Sequence, residues 1–126
     1  MSVRRDLLSE AADLVDGDRN AQYGDPNQDF RRTGKFWSTY LAGVAERKLA
    51  EDGSWPHEVQ EDIVRFIEDL IDPHDVAWMQ VFLKGSRSTV SPGKRDHYAD
   101  AAGYAACGYH TVHEEYPVPE CDAFDA

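Results

Sequence analysis

The dipeptide Asp-Pro occurs twice, at 25–26 and at 72–73, and each copy fixes a helix start. An aspartate carboxylate accepts from the free N–H groups of a first helical turn, and proline, with no N–H to offer, fits the first helical position without loss. Apolar residues at helical spacing follow each pair. They are Phe30, Thr33, Trp37, Tyr40, Leu41 and Val44 after the first, and Val76, Met79 and Leu83, with Trp78, Val81 and Phe82 beside them, after the second. Nothing alternates with period two for long enough to make a sheet. The chain is therefore expected to be all-α.

Punctuation sets the other boundaries. Ser2 is placed to cap a first helix running to about Asp16, and Gly17 to end it. The second helix runs from Pro26 to about Ala50, where "EDGSWP" breaks it. A shorter helix is expected from about His57 to Leu70, the next from Pro73 to near Arg87, and the last from about Lys94 to Glu114 after the linker "STVSPG". The expectation is one helical domain over residues 1–113, a four- to five-helix bundle. The last thirteen residues hold five acids, two prolines and no Lys or Arg, so 114–126 reads as a disordered or strap-like acidic tail.

With 24 acids against 13 bases the formal net charge is −11, which excludes bulk nucleic acid and an anionic membrane as partners, since both need a basic footprint. A small phosphorylated ligand in a local basic pocket stays open. The start lacks the apolar run of a signal peptide, and no apolar run reaches membrane-spanning length. Cys107 and Cys121 make neither a disulfide framework nor a zinc site. A cytoplasmic location is expected, with both thiols reduced.

Three constellations stand out. The helix after Asp72 is apolar around most of its circumference, so it is expected to be largely buried. The exception is a stripe of Gln80, Lys84 and Arg87 at i, i+4 and i+7. Those cations either line a cleft for phosphate or form a solvated face at a helix C-terminus. On the last helix Asp96, Asp100, Gly103 or Tyr104, and Cys107 follow one another along one face. Asp96 and Asp100 are spaced to share a cation such as Mg²⁺, which takes one or two carboxylates and completes its shell with water and phosphate. The same acids are also explained by salt bridges to Lys84 and Arg87. Around them Ala99, Ala101, Ala102, Gly103, Ala105, Ala106 and Gly108 permit close helix approach, within the subunit or across a dimer. The loop "RNAQYGDP" offers Arg19, Gln22, Tyr23 and Asp25 for ligand binding, or a capping turn whose tyrosine anchors the core. Glu10 with Asp13 (E-x-x-D) and Glu58 with Glu61 (E-x-x-E) are further metal-ligand spacings, common by chance in so acidic a chain. His74-Asp75 has no second histidine arranged to make a metal-dependent phosphohydrolase motif.

Tyr23 to Pro26, His74 to Val76, Lys84 with Arg87, and Asp96, Asp100 and Ala102 to Tyr104 together resemble the pattern of a family of short phage and prophage proteins of unknown function, over most of residues 5–110. That family in turn distantly resembles the MazG-like all-α nucleotide pyrophosphohydrolases. This resemblance implies a helical bundle, often dimeric or tetrameric. In it E-x-x-E and E-x-x-D pairs bind Mg²⁺ and a water attacks a triphosphate to release pyrophosphate. Here the E-x-x-D precedes the E-x-x-E, and the better acid pair is D-x-x-x-D. On that reading Asp96 and Asp100 hold Mg²⁺ with Glu10 or Asp13, Lys84 and Arg87 neutralise phosphate oxygens, and Arg19 and Tyr23 contact base or sugar. Two other readings use the same parts. One is a non-catalytic phage nucleotide-binding protein, a sponge for a host signalling nucleotide. The other is a helical homo-oligomeric interaction protein. If the chain is phage-encoded, its place is the bacterial host cytoplasm.

Overall fold

The computed structural model describes residues 2–17 and 24–115, which form five α-helices: α1 (Val3–Asp16), α2 (Pro26–Asp52), α3 (His57–Ile67), α4 (Pro73–Ser88) and α5 (Arg95–Glu115). No strand occurs among the described residues, so the all-α expectation holds. The expected acidic tail lies almost wholly outside them.

Local chemistry sets the ends as the sequence implied. The Ser2 hydroxyl accepts from the Arg5 N–H at 3.2 Å, and the Asp25 carboxylate accepts from the Asn27 N–H at 3.2 Å. At the second Asp-Pro, the Asp72 N–H donates to the Asp75 carboxylate at 3.0 Å. Gly53 closes α2 in the left-handed region at φ 72°, a conformation that costs glycine nothing. One boundary moved. α3 stops at Ile67, short of Leu70. The Ile71 N–H, which a continuing helix would aim at Ile67, donates to the Ser38 hydroxyl at 2.9 Å.

Small residues bring the helices together. Val15 lies against Gly103 and Ala77 against Gly108, while Glu10 meets Arg95 and Lys84 meets Asp100. Partners therefore rise together along α1 and α5 and run oppositely along α4 and α5: α1 is parallel to α5, and α4 antiparallel to it. A Cβ on Gly108 would stand 2.8 Å from that of Ala77, so the glycine sets how closely α4 and α5 approach. Phe30, Val76, Ala77 and Cys107 form the core, with Val15, Trp37, Ile71 and Tyr104 around them. α3 packs on α2 alone.

Two expectations about faces are corrected. The buried row of α2 is Phe30, Gly34, Ser38 and Ala42, while Tyr40 is exposed. Close approach selects the small row: the Gly34 Cα faces the Ile71 carbonyl so closely that a Cβ there would stand 2.6 Å from the oxygen. On α4 the polar stripe does not mark the outer side. Gln80 and Lys84 are half-buried, Arg87 is exposed, and Trp78, Met79, Phe82 and Leu83 point outward. Asp100 draws Lys84 inward, and a helix cannot turn both faces to one neighbour.

Candidate functional site

Four of the charged residues singled out in the sequence, Lys84, Arg87, Asp96 and Asp100, lie where α4 finishes and α5 begins. Lys84 Nζ stands 3.0 Å from an Asp100 carboxylate oxygen, with side chains 16% and 32% exposed. The pair is half-withdrawn from water, and Asp100 lies on the same face of α5 as buried Cys107. One turn further out on each helix are Arg87 and Asp96, both exposed. Neither forms an ion pair among the described residues. Arg87 sits at i+3 from Lys84 and Asp96 at i−4 from Asp100, so the half-buried pair is continued outward by an exposed cation and an exposed carboxylate. Gln80 lies one turn inward of Lys84 and is half-buried.

From α1, Glu10 reaches Arg95 in a hydrogen-bonded ion pair. That hydrogen bond, and then the carboxylate charge, raise the Arg95 pKa above its ordinary value. Asp13 is exposed one turn along α1. Glu10 and Asp100 thus both meet cations. Among the described residues, the His, Cys, Asp and Glu group whose ligand atoms lie within 4.8 Å of one another is Asp72, His74 and Asp75, not the four acids of the expected metal set. In that trio the Asp75 carboxylate is engaged by the Asp72 N–H and by His74 Nε2 at 3.4 Å. His74 Nδ1 is buried without a hydrogen-bond partner.

The loop residues Arg19, Gln22 and Tyr23 lie outside the described residues. Asp25 is described, and besides capping α2 it stands 3.3 Å from His110 Nε2 on α5. Both line an open cavity of about 570 Å³ with Val15, Asp16 and Cys107, large enough for a nucleoside-sized ligand. Among the described residues its charged lining is Asp16 and Asp25, with the His110 imidazole beside them. Tyr104, between the two regions, is half-buried and tilts against Phe30 at 6.3 Å between ring centroids.

Sequence reading missed Arg95 and His110 as partners of Glu10 and Asp25. Arg95 had a legible signal, since it adjoins Asp96 at a helix start. Nothing local marks His110, whose partner is 85 positions away in the chain.

No helix among the described residues is long and apolar enough to cross a membrane. The family model described as a domain of unknown function (DUF6378) matches residues 6–112. The "Gene 55 protein" of Mycobacterium phage D29 is 29% identical over 101 residues, covering 80% of this chain and 50% of the relative. The protein of that name from Mycobacterium phage L5 is 25% identical over 118 residues, covering 94% and 56%. The chain thus spans about half the length of these relatives. No solved structure matches it.

Proposed function

The chain belongs to this domain family, which has phage relatives, and we propose that it binds a phosphorylated small molecule of the nucleotide class together with Mg²⁺ and releases pyrophosphate from it. The observation that carries the proposal is the Lys84–Asp100 pair continued by Arg87 and Asp96, neither of which forms an ion pair among the described residues. A Mg²⁺–triphosphate presents both signs of charge, and it would meet both there. Arg87 and Lys84 would take phosphate oxygens and neutralise charge developing on them. Asp96 and Asp100, with Glu10 or Asp13 from α1, would hold the ion. Mg²⁺ would polarise the phosphate and lower the pKa of a bound water. The cavity beside Asp25 and His110 lies about 15 Å further along α5, and would receive base and sugar, with Tyr104 as a contact.

A second reading is favoured by the pairing of Glu10 with Arg95 and of Asp100 with Lys84. An ion would have to displace those cations, whereas a nucleotide bound without hydrolysis would need only the cationic side. This is the sponge.

The deciding experiment is calorimetric titration with nucleoside triphosphates and cyclic nucleotides, with and without Mg²⁺, each mixture being assayed for pyrophosphate. Mg²⁺-dependent pyrophosphate that vanishes in Asp96→Asn and Asp100→Asn supports the enzyme. Tight Mg²⁺-independent binding, ligand recovered intact and about tenfold weaker in Arg87→Ala, supports the sponge. Silence across the panel removes both.

A further inference from the structure

A narrow groove runs between the first half of α4 and the second half of α5. Ala77 and Trp78 line it from one side, and Ala105, Gly108, Tyr109 and Val112 from the other, around a cavity of about 200 Å³. It is apolar, and its two rings are half uncovered, Trp78 at 55% and Tyr109 at 59% exposure. Small-molecule sites begin at roughly 300 Å³, so this groove suits one or two side chains rather than a free ligand.

The chain itself carries matching side chains close by. Ala105, Tyr109 and Val112 stand at i, i+4 and i+7 on α5, and the next residue in that row, at i+11, is Tyr116. α5 ends at Glu115, and the sequence continues Tyr116-Pro117-Val118-Pro119 before acids resume at Glu120.

We propose that Tyr116–Pro119 turns back from the end of α5 and fills this groove as a strap. Pro117 disfavours the helical conformation for Tyr116, so the chain leaves the helix on the side where the groove lies. Four residues in the extended proline-type conformation cover about 12 Å, the rise of about eight helical residues. That length reaches from the level of Tyr116 back to Gly108. The polarity fits as well as the length. The four residues carry no charge, and prolines 117 and 119 bring no N–H group that an apolar groove would strand.

Tethering selects this occupant over a second copy. A groove this small supports only weak binding, and a segment joined directly to its wall is held at an effective concentration on the order of millimolar. A second copy would also bring its own charge of −11. The strap ties α4 to α5 at the end of their contact away from Lys84 and Asp100, and it depends on no ligand.

The test is solution NMR of the full chain with isotope-labelled valine methyls. The expected result is nuclear Overhauser contacts from the Val118 methyls to the Trp78 and Tyr109 rings, with ring currents moving those methyls from their shifts in urea. Ala105→Trp, which fills the groove from α5, should abolish the contacts and return the methyls toward their unfolded shifts. Should that variant fail to fold, the wild-type spectra still decide. Val118 methyls at unfolded shifts in the wild type, with no contact to either ring, overturn the proposal. So do contacts found only between labelled and unlabelled molecules in a mixed sample, which would put a second copy's segment in the groove.

Discussion

Lys84 and Asp100 carry the chain's most informative single contact, because neither charge is fully hydrated and each has the other at 3.0 Å. Removing one partner leaves the other half-buried and uncompensated, which costs about 1–3 kcal/mol. Replacing Lys84 removes a charge, and its apolar stem can be replaced as well. Asp100→Ala should therefore destabilise more than Lys84→Met, and urea unfolding of the two variants measures the difference. Equal losses would mean that water, and not Lys84, solvates Asp100. The Glu10–Arg95 pair is more exposed, and Glu10→Gln should change stability by less than about 1 kcal/mol. At this scale the sequence was half legible. Both the D-x-x-x-D spacing and the cationic stripe are visible in it. Their meeting depends on an antiparallel α4–α5 register that no local signal carries.

Among the elements, α2 shows how packing overrides apolar periodicity. Its large residues predict one face, yet the helix buries Phe30, Gly34, Ser38 and Ala42, because small side chains let the segment around Ile71 lie directly on it. Gly34→Ala should then lower stability by about 1–3 kcal/mol through overpacking, although alanine is the better helix former by about 1 kcal/mol. Thermal unfolding gives the sign, and a rise in Tm would show that the Ile71 carbonyl can move aside. Ser38→Ala should cost about 1–2 kcal/mol by stranding the Ile71 N–H, and hydrogen exchange at that amide should quicken. Helix starts were far more legible than buried faces. A cap is read from adjacent residues, whereas a face is chosen by what arrives from elsewhere in the chain.

At the scale of the molecule, the seven buried hydrophobic residues among those described are mostly small, and many aromatic rings remain outside. Little apolar area is removed from water within one subunit, so stability should depend on association. The melting temperature should rise with protein concentration by mass action. With a net charge of −11, added sodium chloride should raise it too, by screening repulsion within and between chains. A melting temperature independent of concentration would mean that each subunit is stable alone.

By itself the sequence determined that the chain is helical, where the helices begin, and that their closest contacts use glycine and alanine. Those properties follow from capping, proline geometry and side-chain volume, all written in neighbouring residues. Only the tertiary structure decided that Lys84 turns toward Asp100 on α5, that Trp78 and Phe82 turn out, and that Asp25 meets His110. Each of these joins residues distant in the chain. Which face of a helix is buried depends on the shape of its neighbour, and a helical period fits more than one face equally well.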